Sequence, residues 1–203
     1  DKFVRIYESG DMIHAAPEAI KPLAGKRYLF FVGNAFPYKN VGLIVDAFVE
    51  LKEKYPDMHL ALAGKKDFFY EEIERTIKER GIQDVHILGY ISDGEKRWAM
   101  QNALSYVVAS LSEGFHIPLL EAMHEHCPVL TSNATCLPEV AGDAAILFDP
   151  YSTEAVVTAV TELIETPGLR EDLIQKGIAN TKRFSWRAMA EDTHNTYRDA
   201  LSG

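Results

Sequence analysis

The sequence predicts an α/β domain: a mainly parallel sheet covered by helices on both faces. Three observations carry this. Short apolar runs recur along the chain. Amphipathic segments with apolar residues at helical spacing separate them. The runs are too continuously apolar for strands with one face in water, as expected of parallel strands buried on both sides. At 203 residues the chain is long enough for one well-buried core.

Taken in order, residues 27–33 (R-Y-L-F-F-V-G) read as the first strand. Asn40 is placed to cap a helix carrying Val41, Ile44, Val45, Phe48 and Leu51 on one face, ended by Pro56. Residues 59–64 (H-L-A-L-A-G) are the second strand, 71–80 a charged, solvated helix closed by Gly81, and 85–89 (V-H-I-L-G) the third strand. Ser92 and Glu95 have capping-box spacing and open a helix to about Ala103. Residues 106–110 (Y-V-V-A-S) form a fourth strand, followed by a helix near Pro118, a residue suited to a first helical position. Two short strands follow at 128–131 and 145–148. From Thr153 the pattern is helical, broken at Pro167, with Ser185 capping a last helix to about Leu201. Residues 1–26 stand outside this repeat and read as an N-terminal extension or interdomain remnant, with an edge strand expected over 2–7. Residues 27–203 form the domain.

Several function classes are disfavoured. The formal charge of −9 argues against a broad nucleic-acid-binding face, though not against one small cationic pocket. No apolar run approaches the ~18 residues of a spanning helix. Cys127 and Cys136 form no C-x-x-C, so neither a zinc ribbon nor a disulfide scaffold is indicated, and a cytoplasmic setting is expected. No G-x-G-x-x-G follows a strand and no G-x-x-x-x-G-K-[ST] occurs, which argues against dinucleotide oxidoreductases and P-loop NTPases. His124, Glu125 and His126 do not make a metal site, because helical residues two apart do not face each other. Cys127 reads as a core residue, Trp98, Trp186 and Tyr197 as packing residues, within this domain or against another, and Glu139 after Pro138 as a helix N-terminal carboxylate.

Parallel sheets bind ligands at the carboxyl ends of their strands. The richest loop there is 112–123, S-E-G-F-H-I-P-L-L-E-A-M, which leaves a strand and opens a helix. The first turn of a helix has amide hydrogens without internal partners at the positive end of the macrodipole, a natural diphosphate site. Gly114 allows close approach of a ligand. Glu113 lies before the helix and Glu121 about one turn into it, leaning back toward its start. Carboxylates beside a diphosphate make sense as acceptors for sugar hydroxyls, and a nucleotide sugar has hydroxyls on both sides of its diphosphate. Lys39, in the loop after the first strand, suits the phosphate as a point charge, with Lys65 after the second strand a weaker candidate.

E-G-F-x-x-P-x-x-E-A-M resembles the Glu-x7-Glu motif of the GT4 family of GT-B glycosyltransferases, and F-V-G-N-A-F-P-Y-K-N resembles that family's Gly-Arg-x-x-x-x-Lys phosphate loop. H-I-L-G-Y-I-S-D, T-S-N-A-T-C-L-P-E-V-A-G-D-A-A and a closing F-S-W follow in the family's order, so the likeness covers roughly residues 27–200. It implies a Rossmann-like domain, one half of a GT-B fold, that binds a UDP-, GDP- or ADP-sugar as substrate. The implied reaction is retaining transfer without an essential metal or other cofactor. Glu113 would meet donor-sugar hydroxyls near the reacting carbon and Glu121 the ribose diol. Lys39, with Gly33 and Asn34 in its loop, would face the diphosphate, as would the backbone of Phe115, His116, Ile117, Pro118 and Leu119. Gly89, Tyr90 and Ile91 would line the base pocket. The K-N-V form of the lysine loop points faintly to mannosyl transfer from GDP donors. The implied partner is an acceptor-binding N-terminal domain that residues 1–26 cannot supply, and peripheral membrane association of the full enzyme is compatible with it.

Two residues depart from the family pattern. Asn34 stands where the family has arginine, read here as donor contact or as a turn residue in the left-handed region. His116 replaces the second glycine of the Gly-Phe-Gly turn, either as an exposed turn residue or as an added donor to the ligand. A non-catalytic sugar-nucleotide module and an epimerase-like enzyme are the alternative functions.

Overall fold

The computed structural model describes residues 3–10 and 13–202. Six parallel strands form one sheet: β1 (Arg27–Val32), β2 (Met58–Ala63), β3 (Val85–Gly89), β4 (Ser105–Val108), β5 (Val129–Ser132) and β6 (Ala145–Phe148). Their order is β3-β2-β1-β4-β5-β6. Eight α-helices accompany them among the described residues: α1 (Val41–Lys54), α2 (Phe68–Glu79), α3 (Asp93–Asn102), α4 (Ile117–His124), α5 (Leu137–Ala141), α6 (Thr153–Glu165), α7 (Leu169–Thr181) and α8 (Trp186–Ser202). None is long and apolar enough to cross a membrane.

Alternation along β1 shows how the two core layers arise. Tyr28 and Phe30 point into one layer, with Met100 of α3, Leu119 and Met123 of α4 and Val140 of α5. Leu29 and Phe31 point into the other, with Ile44 and Phe48 of α1, Tyr70 of α2 and Val160 of α6. Both sheet faces are therefore dry at the central strands, which is why those strands read as unbroken apolar runs, while the edge strands β3 and β6 are only partly covered. Residues ahead of β1 contribute to the first layer: Ile13, Ile20 and Leu23 are buried there, and the Glu18 amide donates to the Gly94 carbonyl (3.0 Å).

Local chemistry explains most boundaries. The Ser92–Glu95 capping box of α3 is reciprocal, with the Glu95 amide on Ser92 Oγ (3.1 Å) and the Ser92 amide on Glu95 Oε2 (2.8 Å). Ser152 caps α6, and the chain breaks around Pro167 before α7.

Three expectations are corrected. α2 begins at Phe68 rather than 71, because the Asp67 side chain accepts from the amides of Phe69 and Tyr70 (both 3.1 Å). Asn40 is not a side-chain cap: it sits in the left-handed region (φ 54°) and its amide group donates to the Pro150 carbonyl (2.8 Å). Residues 3–7 form no strand, and Lys2 lies outside the described residues. Side-chain contacts hold that segment instead: Tyr7 packs against Phe115 and Phe184, and Arg5 and Tyr7 both donate to Glu139. Trp98 packs on the core, while Trp186 and Tyr197 are left exposed within this chain, at 39% and 67%.

Candidate functional site

The strand order reverses between β1 and β4, the kind of switch point at which open parallel sheets bind ligands. The loop after β1 contains a 3-10 turn, Pro37–Lys39. The loop after β4 runs into α4. One backbone bond ties the two together, from the Leu111 amide to the Tyr38 carbonyl (2.7 Å).

That tie places Lys39 against Glu113. Lys39 Nζ is 2.7 Å from Glu113 Oε1, with 13% and 8% of the side chains exposed. Ser110 Oγ donates to the same oxygen (2.6 Å), and His116 Nδ1 lies 3.0 Å from it. The Glu113 backbone is held as well: its amide donates to Thr135 Oγ1 (3.1 Å) and its carbonyl accepts from Cys136 Sγ (3.3 Å). Burial pushes the Glu113 carboxyl up, but the hydrogen bond and charge of His116, with the hydrogen bonds of Lys39 and Ser110, override this and lower it to about 2. The group is thus an ionised acceptor at neutral pH.

Glu121 lies one turn into α4, and its Oε1 is 2.9 Å from Lys96 Nζ of α3. Both side chains are largely covered, at 16% and 19% exposure. The site therefore holds two acid–ammonium pairs, one on each side of the start of α4.

The helix start between them is less rich in donors than a run from Phe115 to Leu119 would be. Pro118 has no amide hydrogen, and the Leu119 amide already donates to the His116 carbonyl (3.0 Å). Among the described residues the amides of Phe115, His116 and Ile117 donate to no carbonyl outside the helices and strands, and those of His116 and Ile117 belong to the turn whose amides have no partner within the helix. The Phe115 and Leu119 side chains are core residues. Gly114 is exposed, and a Cβ placed on it would meet nothing within 4 Å, so the fold does not require a glycine there and the approach to its backbone is open. Beside it lies a cleft of about 320 Å³ lined by Arg5, Tyr7, Phe115, Cys136 and Glu139.

The remaining predicted residues divide. The Gly33 amide is used, donating to the Ala63 carbonyl (2.9 Å), and its carbonyl accepts from the Tyr70 hydroxyl (3.0 Å). A Cβ on Gly64 would lie 1.9 Å from that carbonyl oxygen, so a glycine at 64 lets the loops after β1 and β2 meet. Asn34 is not in the left-handed region. It turns the chain by accepting from the Phe36 amide (3.3 Å). Lys65 and Tyr90 are exposed and make none of the hydrogen bonds of the Glu113 cluster. Gly89 has φ 69°, and Ile91 packs on the core. His116 is neither an exposed turn residue nor a free donor. It is 8% exposed, and both ring nitrogens are engaged within the protein.

Sequence reasoning missed Ser110, Thr135, Tyr106 and Lys96. Nothing in linear spacing joins Lys96 to Glu121; only the packing of α3 beside α4 does. Glu125 of the rejected metal trio takes Arg97 (3.0 Å) and Gln101 (2.7 Å). Among the described residues no group of His, Cys, Asp and Glu is placed to hold a metal ion.

The family model for glycosyl transferases group 1 matches residues 15–180. The O-antigen chain mannosyltransferase B of Escherichia coli is 32% identical, over 94% of this chain and 52% of that protein. A phosphatidyl-myo-inositol mannosyltransferase of Mycobacterium leprae is 28% identical, over 95% of this chain and 52% of its own. The chain thus spans about half the length of these relatives. Among solved structures, the sucrose-phosphate synthase of Thermosynechococcus elongatus superposes with a TM-score of 0.80 at 21% identity, covering 96% of this chain and 52% of that one. The Anabaena protein HepE, solved with UDP and glucose, gives a TM-score of 0.80 at 19% identity, covering 95% and 56%. At such identities the likeness is one of fold.

Proposed function

Because the chain belongs to the group 1 glycosyl transferases, we propose that it is the donor-binding half of an enzyme that moves a sugar from a nucleoside diphosphate sugar to an acceptor, with retention at the anomeric carbon. The observation that carries this is the meeting of Lys39 and Glu113 at the β1/β4 switch point, beside the start of α4.

The diphosphate lies along the Phe115–Ile117 amides with Lys39 as its point charge. Charge that builds on the departing diphosphate as the glycosidic bond breaks meets donors already fixed in place. Glu113, ionised and held through Oε1, offers its other oxygen to a hydroxyl of the sugar. Glu121, held by Lys96, does the same for the ribose diol on the far side. The loop at Gly89–Ile91 flanks the base. The sugar we propose is mannose, carried on GDP, supported by the names of the two relatives and the K-N-V form of the lysine loop. A second domain supplies the acceptor side, in keeping with the half-length coverage of the relatives, and the whole enzyme works in the cytoplasm.

Calorimetry tests the assignment. Glu121→Ala weakens GDP and UDP binding by about tenfold or more, as expected for a lost charged hydrogen bond. Glu113→Ala leaves nucleotide affinity nearly unchanged but removes the extra affinity of GDP-mannose over GDP. Identical isotherms for wild type and both variants defeat the reading, and full-length protein that binds donor but transfers nothing limits it to a binding module.

A further inference from the structure

His116 has a backbone conformation that favours glycine, φ 77° and ψ 66°, at the N-cap of α4. A side chain there carries a conformational cost that glycine avoids. The ring is nevertheless buried, with only 3% of the side chain exposed. It lies across Tyr106, with ring centroids 6.1 Å apart and planes 23° from parallel. Its Nε2 is 3.0 Å from the Tyr106 hydroxyl, and its Nδ1 is 3.0 Å from Glu113 Oε1. The Tyr106 hydroxyl is in turn 3.3 Å from the Val32 carbonyl at the end of β1. A continuous chain of polar contacts therefore runs from β1 through Tyr106 and His116 to Glu113, crossing the β1/β4 switch point.

The proton arrangement follows from the chemistry. An ionised carboxylate only accepts, so Nδ1 carries its hydrogen toward Glu113. Nε2 then either accepts from the Tyr106 hydroxyl or, on an imidazolium, donates to it while Tyr106 donates to Val32. Either way the tyrosine anchors one edge of the ring and the other edge holds the carboxylate.

We propose that His116 is a positioning residue, which fixes the Glu113 carboxylate for the donor sugar by anchoring it through Tyr106 to the sheet. The proposal rests on the reading of Glu113 as the sugar-facing acid. It excludes direct ligand contact by the imidazole, whose two nitrogens are already engaged. Lys39 and Ser110 share the same carboxylate oxygen, so His116 orients Glu113 rather than being its sole partner.

His116→Gly separates this from a merely structural role, because glycine suits the backbone there and the chain is expected to fold. Two readouts are taken on wild type and variant: affinities for GDP, GDP-mannose, UDP and UDP-glucose, and the titration of the Glu113 carboxyl carbon by NMR. In H116G the ratio of nucleotide-sugar to nucleotide affinity falls by about five- to tenfold for the preferred pair, and Glu113 titrates at higher pH. Tyr106→Phe produces the same two shifts, smaller. An unchanged sugar increment together with an unchanged Glu113 titration in H116G overturns the proposal. If wild type shows no sugar increment at all, the donor reading fails instead, and the Glu113 titration still decides whether His116 holds the acid.

Discussion

Charged side chains cluster at both ends of the sheet, and the two clusters differ in kind. At the amino end, Lys26 Nζ lies 3.4 Å from His59 Nε2, His86 Nε2 lies 3.2 Å from His59 Nδ1, and Lys52 and His59 both reach Asp84, at 2.6 and 3.3 Å. These groups come from neighbouring strands and the end of α1, and they satisfy one another along the β1-β2-β3 side. At the carboxyl end, Lys39, Glu113, Lys96 and Glu121 come from loops and helices on both sides of the switch point, beside the start of α4, whose His116 and Ile117 amides donate to no carbonyl outside the helices and strands among the described residues. Charge near a strand end therefore marks no site by itself. Convergence from separate loops and helices onto a helix start at a switch point does.

The contrast can be broken hardest at Gly64. Gly64→Ala forces a methyl onto the Gly33 carbonyl and the Tyr70 ring. It should cost about 3 kcal/mol and weaken nucleotide binding by displacing the Lys39 loop. Gly25→Ala, ahead of β1 at the opposite end, has φ 72° but no atom within 4 Å, and should cost about 1 kcal/mol with binding intact. Denaturant titration and calorimetry of the two variants check this, and equal costs would refute it.

A smaller effect is expected at Lys39. Lys39→Ala weakens di- and monophosphates by roughly tenfold and nucleosides little, whereas Lys52→Ala at the amino end leaves all of them unchanged. A comparable loss for nucleosides would remove Lys39 from the phosphate. Lys96→Met should lower nucleotide affinity by about threefold, because Glu121 loses its partner but not its place on α4. Affinity equal to wild type would show that the pair serves packing alone.

The gentlest test is pH. Burial, and then the neighbouring cations and ring, lower His59 and His86 below the ordinary 6.5. The unfolded chain therefore takes up protons first, and stability falls as pH drops below 6.5. Glu113 has the opposite charge type: lowered from 4.5 to about 2, it contributes stability above pH 4.5 that is lost between 4.5 and 2. Acidification should thus loosen the amino end first. Denaturation midpoints from pH 7.5 to 5.5 should slope in wild type and flatten in a His59→Gln/His86→Gln variant; parallel slopes would reject the assignment.

Much of the molecule was legible from short-range signals. Apolar runs set the strands, helical spacing set α1, and Ser92 with Glu95 set the start of α3, because periodicity and caps act within a turn or two of chain. The same reasoning singled out Glu113, Glu121 and Lys39, since a helix start after a strand is a local feature. Strand order was not legible, nor was the pairing of Lys96 with Glu121 across 25 positions. The inward turn of His116 depended on Tyr106 arriving beneath it from β4, and the course of residues 3–10 on Glu139, Phe115 and Phe184. Those outcomes depend on which faces meet when the layers pack. A linear pattern records which face of an element is apolar, but not which other element will cover it.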